Sequence, residues 1–104
     1  MQFVVIGRDG TDAQALERRL AVREKHLANG KVMQDRGWLL YAAALMDESE
    51  KMVGSVMIFD VPARKDLDEW LKEEPYVTGK VWQEIEVSLC KIGPTFVPAA
   101  SPKL

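Results

Sequence analysis

One cysteine and one histidine are all that 104 residues hold of the two side chains best suited to soft metals. With no CxxC or HxxxH spacing, the chain offers no dedicated zinc site, and no metal or other cofactor is expected. Cys90 cannot close an intrachain disulfide by itself, which suits a reducing compartment, the cytoplasm. No apolar run approaches the ~20 residues of a membrane span. The opening MQFVVIGRDG lacks the basic region of a secretion signal. Charges of both signs are mixed and the net charge is −2. Neither nucleic acid nor an anionic membrane is therefore an expected partner.

What is present is a globular composition, 47% apolar, in a length that suits one domain. MQFVVIG reads as a strand and RDGTD as a turn. Thr11 and Gln14 fit a capping box. A helix is expected from about 12 to 29, resuming to 35 beyond Gly30, with Gly37 as its stop. WLLYAAALM and MVGSVMIFDV read as strands joined by the polar DESEK. ARKDLDEWLKEE reads as a second helix stopped by Pro75. VWQEIEVSLCKI is the last strand, and its alternation places Cys90 on one face with Trp82, Glu84, Glu86 and Ser88. Residues 93–104 form an irregular tail to a single domain spanning 1–104. The order β-α-β-β-α-β predicts an α+β, ferredoxin-like antiparallel sheet with both helices on one face.

The second and third strands are apolar on both faces, and two helices can cover only one. The other face would be a large exposed apolar patch, which soluble monomers rarely carry. A second copy packed sheet to sheet resolves this, so a homodimer with a cavity between or beside the sheets is expected. The competing arrangement is a monomer whose tail lies across the open face.

Leu16, Leu20 and Leu27 align on one face of the first helix at ~100° per residue. Arg23 falls inside that stripe, His26 lies at its edge, and Arg19 flanks the same edge. An unpaired buried guanidinium is costly, so Arg23 needs a carboxylate, a wet cavity or a path to water along the stripe. On the second helix Ala63, Leu67 and Trp70 form the inner stripe. The next position in phase is Glu74, which either points inward or ends a frayed helix. Phase alone does not bring the two helices' charges together.

Three stretches resemble the YCII-related (YciI-like) family of the dimeric α/β-barrel group: VREKHLANG with its R-x-x-H-L pattern, GSVMIFDV, and EEPYVTGKVWQEIEV. The resemblance runs from about residue 2 to 92. It implies a dimeric α/β barrel paired through its sheets. It also implies a site combining the first-helix histidine with the acid before the Pro corner, here His26 and Glu74. Arg23, Ser55 and Tyr76 match further family positions. Glu74 stands where the family usually has Asp, and Lys80 where it usually has Gly. AAALMDE lacks the family's usual Gly-Pro.

A histidine, a carboxylate and an arginine suit proton abstraction with stabilisation of an oxyanion. They do not suit covalent catalysis, since no second histidine exists to activate Cys90. Resemblance supplies the substrate class. The expected activity is a cofactor-independent lyase or isomerase acting on a small hydroxylated aromatic ring or lactone, including dehydrochlorination of a chlorinated hydroxyquinol. In that reading His26 is the base, Glu74 orients it, Arg23 holds the oxyanion, and Ser55 and Tyr76 position ring oxygens. The alternative is a non-catalytic dimer that binds a small metabolite in the same cavity.

Overall fold

The computed structural model describes residues 1–96. Its elements are β1 (Gln2–Asp9), α1 (Ala15–Asp35), β2 (Leu39–Met46), β3 (Met52–Asp60), α2 (Arg64–Glu73), a one-turn α3 (Pro75–Thr78) and β4 (Trp82–Cys90), then a 3-10 turn (Pro94–Phe96). The four strands form one sheet in the order β2-β3-β1-β4, antiparallel throughout. The fold is the ferredoxin-like βαββαβ arrangement. Of the expected tail, the described part is the 3-10 turn; residues 97–104 lie outside the described residues.

Alternation in the two central strands sets the layers. Phe3, Val5, Gly7 and Asp9 of β1 are buried, as are Ser55, Met57 and Phe59 of β3. Of these, Phe3, Val5, Met57 and Phe59 form the core with Leu67 and Trp70 of α2. Val4, Ile6, Val56 and Ile58 point the other way and are only half-buried. An apolar strip thus runs down the middle of the uncovered face. Tyr41 shares that face and donates through its hydroxyl to the Phe96 carbonyl at 2.7 Å.

Strand β1 reaches two residues further than expected, so Asp9 belongs to its inward series rather than to a turn. The β1–β4 register shifts between Arg8 and Asp9, with Glu84 opposite Arg8 and Trp82 opposite Asp9. This irregularity corrects the expected alternation. Trp82 is buried on the helix side, whereas Glu84 and Glu86 are exposed. Gly7 makes room for it, since a Cβ there would overlap the Trp82 indole.

Helix α1 runs through Gly30 without a break. No side chain caps its start, in place of the expected Thr11–Gln14 box; Asp12 instead accepts from the Gln14 N–H at 3.2 Å. Its end matches expectation. Gly37 adopts φ +85 and donates to Gln34 O, while Trp38 N–H reaches back to Met33 O. That double bond is the Schellman motif, which needs a left-handed residue. The inward face of α1 is the main correction. Leu20 and Leu27 are about half exposed and Arg23 is exposed, whereas Arg19, His26, Gly30 and Met33 are buried.

Candidate active site

Three elements meet where α1 passes over α3. Pro75 cannot continue α2, and Glu74 leaves helical geometry at φ −65, ψ 126. This turn drives the Glu74 side chain inward, where it is fully buried. Its carboxylate meets three donors: His26 Nδ1 on Oε1, Asn29 Nδ2 on Oε2 at 2.6 Å, and the Tyr76 backbone N–H on Oε1 at 3.3 Å. His26 and Asn29 lie three residues apart, on one face of α1. A buried carboxylate with three donors meets the requirement that buried charge be hydrogen-bonded. Against Glu74, the neutral imidazole carries its proton on Nδ1, which leaves the Nε2 lone pair as acceptor. Among the described residues, Nε2 makes no hydrogen bond.

Tyr76 stacks on His26 with centroids 3.8 Å apart and planes 9° from parallel. The Arg19 guanidinium lies 4.7 Å from the same ring centroid. The imidazole already covers one face of the phenol, so the guanidinium takes the other. Arg19 and His26 are seven residues apart, two turns or roughly 10.5 Å of helix rise. That interval accommodates one aromatic ring between two planar side chains. Trp82 closes the group edge-on, with centroids 6.0 Å from His26 and 5.6 Å from Tyr76.

A second buried network supports this stack. Arg19 NH1 donates to both carboxylate oxygens of Asp9, at 3.0 and 3.1 Å, and NH2 donates to Ser55 Oγ at 2.9 Å. Trp82 Nε1 donates to the same hydroxyl oxygen at 3.2 Å. With both lone pairs of Ser55 Oγ occupied, its own proton remains to be donated. Burial raises the Asp9 carboxyl above its ordinary value despite the opposing pull of the Arg19 guanidinium. Burial also raises the Tyr76 phenol, with Arg19 and Arg23 pulling against it. Tyr76 is therefore a neutral donor at physiological pH.

Beside the stack is an open-sided cavity of about 140 Å3, lined by Arg19, Arg23, His26, Ser55 and Tyr76 together with alanines and methionines of β2 and β3. Arg23 makes no ion pair among the described residues. The space is thus bordered by donors, with His26 Nε2 as the available basic nitrogen. Among the described residues, no three His, Cys, Asp or Glu side chains converge to hold a metal, and no helix is long and apolar enough to cross a membrane.

The YCII-related domain family matches residues 1–91. The chain belongs to the YCII-related family. The protein YciI of Escherichia coli O6:H1 is 30% identical over 93 residues, covering 84% of this chain and 93% of that protein. A Haemophilus influenzae protein is 33% identical over the same shares of both chains. Among solved structures, the 5-chloro-2-hydroxyhydroquinone dehydrochlorinase TftG of Burkholderia phenoliruptrix AC1100, in complex with 2,5-dihydroxybenzoquinone, is similar in fold. Its TM-score is 0.77 at 16% identity, over 89% of this chain and 96% of that one. An antibiotic biosynthesis monooxygenase aligns with TM-score 0.53 at 18% identity, over 90% and 100% of the two chains.

Of the residues singled out in the sequence, His26 and Glu74 are in contact, and Tyr76 stacks on His26. Arg23 and Ser55 line the same cavity. Arg23 reaches it from an exposed position rather than from inside a buried stripe. Arg19, Asp9 and Asn29 were not assigned to the site. The positions 19, 22, 26, 30 and 33, at three- and four-residue steps, carry the signal for Arg19. The alternation 3, 5, 7, 9 carries it for Asp9.

Proposed function

We propose that the protein is a cofactor-independent lyase or isomerase in which His26 is the general base for a small hydroxylated aromatic ring or lactone. Within that class, dehydrochlorination of a chlorinated hydroxyquinol is the reaction that best suits the site. The observation that carries this reading is a buried imidazole with Nδ1 held by Glu74 and its ring on a one-ring cavity bordered by donors. An oxygen-rich ring offers acceptors to Arg23, Ser55 and Tyr76 and one acidic proton to His26. The fold shared with TftG supports the substrate class.

His26 Nε2 takes a hydroxyl proton, and Arg23 stabilises the resulting oxyanion. The proton returns to the chlorinated ring carbon, which becomes tetrahedral as the oxygen becomes a ketone. Removal of a second hydroxyl proton then expels chloride with its bonding pair. The ring loses one proton and one chloride overall and leaves as a hydroxyquinone, so no external oxidant is needed. For a lactone, the same carriage of a proton between carbons shifts a double bond. Glu74 holds the Nδ1 tautomer and stabilises the imidazolium between steps.

The single-domain reading over residues 1–104, a cytoplasmic setting and a homodimer belong to the same proposal. The half-buried strip Val4, Ile6, Val56 and Ile58 supports a second copy packed on the open sheet face. The decisive experiment measures chloride release and product formation over a panel of chlorinated hydroxyquinols and lactones. Wild type is expected to turn over at least one, and His26→Ala to bind it but convert it about 10²–10⁴-fold more slowly. Binding without conversion of any compound by wild type would instead favour the non-catalytic metabolite-binding dimer.

A further inference from the structure

His26 has open space on two sides. One is the polar cavity of about 140 Å3. The other is a hollow of about 320 Å3 between the C-terminal half of α1 and the edge strand β2. His26, Leu27, Ala42 and Met57 border both, so the imidazole stands at the partition. The chambers differ in chemistry. Arg19, Arg23, Ser55 and Tyr76 belong to the first alone, with Ala43, Ala44 and Met52; Gly30, Leu39 and Leu40 belong to the second alone, with Lys31, Gln34 and Tyr41, so both guanidiniums lie on the first side. Lys31, on the rim of the second, is tied to Asp35 at 2.8 Å.

Size limits what the first chamber can hold. A cavity of about 150 Å3 is filled by one benzene. A ring placed against Arg23, Ser55 and Tyr76 therefore fills it, and a substituent that passes His26 enters the second hollow. Gly30 makes that exit roomy. It is buried in the interior of an unbroken 21-residue helix, where glycine costs roughly 0.5–1 kcal/mol relative to alanine. Backbone crowding does not demand it, because a Cβ there would meet only Leu39 Cδ2, at an ordinary 3.5 Å. What the missing side chain leaves is volume in the second hollow.

We infer that the substrate has two parts: an oxygenated ring in the polar chamber, and an apolar substituent that passes His26 into the hollow beside Gly30. Gly30, Leu39 and Leu40 determine which substituents fit. The inference rests on the proposed function only in taking the polar chamber as the seat of the ring.

Resorcinol and 4-hexylresorcinol are stable probes that differ only by an apolar chain. Binding is read by calorimetry and by the NMR resonances of the single imidazole. Wild type is expected to bind hexylresorcinol at least about tenfold more tightly than resorcinol, with one-to-one stoichiometry, because the chain leaves water for an apolar wall. Gly30→Leu is expected to cut that gain to about threefold or less while resorcinol affinity stays within about twofold. Leu40→Asn alters the hollow from the edge strand rather than from the helix, and is expected to weaken hexylresorcinol alone. Resorcinol that perturbs His26 while the chain adds no affinity overturns this inference by itself. So does a gain that survives both substitutions. Failure of both compounds to bind or to perturb His26 overturns the seat of the ring, and with it the proposed function.

Discussion

Arg18 and Arg19 are neighbours in sequence, and each pairs with an aspartate just ahead of the helix, yet the two pairs do different things. Arg18 grips Asp12 with two bonds, at 2.9 and 2.7 Å, on the wet side of α1. Arg19 grips Asp9 under the helix, with both side chains nearly inaccessible. The Arg18 hydrogen bond holds the Asp12 carboxyl down at about 2. Asp9 moves the other way, because burial outweighs its partner's pull. An exposed pair tends to contribute little to stability, and a buried pair can cost more in desolvation than it returns. The inner pair is thus poorly explained as a staple. Its geometry fits another role, holding a guanidinium against Tyr76 so that the phenol stays pressed on His26.

The largest effect that separates the two pairs is expected from Asp9→Ala, which leaves the Arg19 charge buried and unpartnered. A loss of about 3–5 kcal/mol by urea denaturation is expected. The double variant Asp9→Leu with Arg19→Met removes both charges and should recover most of that loss. A double variant as unstable as the single would break the comparison. The pH dependence should differ in sign as well. For Asp9, whose proton is held more tightly in the fold, the contribution to stability is full below its unfolded value and is lost as pH rises through its raised folded value. For Asp12 the contribution is present above its unfolded value and lost as pH falls toward about 2.

Glu74→Gln comes next. It turns an amide against three donors that had shared a carboxylate, at a cost of about 1–3 kcal/mol. Nitrogen NMR of the imidazole should show the loss of a fixed Nδ1–H form, since Glu74 no longer selects the tautomer; an unchanged spectrum would detach Glu74 from that role. A smaller gain is expected on the wet side. Lys80 adopts φ +59, a left-handed conformation that costs a side-chain-bearing residue roughly 1–2 kcal/mol. Lys80→Gly should stabilise the protein by about 0.5–1 kcal/mol, read as a raised midpoint. The smallest effect is Asp12→Asn, expected to lower stability only slightly at neutral pH, because an exposed pair contributes little.

The sheet was legible because its central strands alternate cleanly and its turns are marked by Gly, Pro and acidic residues. Glu74 was legible from the phase of Leu67 and Trp70 and from the halt that Pro75 imposes. The inward face of α1 was not. Leu16, Leu20 and Leu27 mark the most apolar stripe, but the helix buries Arg19, His26, Gly30 and Met33. Hydrophobic periodicity finds the side that faces a core, and here part of the buried side faces ion pairs and open volume. Trp82 was misplaced for a related reason: one register shift beside Asp9 reverses the alternation, and strand pattern alone carries no mark of it.

The seven-residue interval between Arg19 and His26 acts as a ruler. Composition within it can drift, since several of its side chains look outward, but its length cannot. One residue inserted there would swing one jaw of the clamp about 100° around the helix. Tyr76 would then be gripped from one side alone, and the imidazole would lose contact with the carboxylate or the guanidinium with its aspartate. Relatives that keep this arrangement should therefore tolerate substitutions at the outward positions of the span, Arg23 apart, and reject insertions.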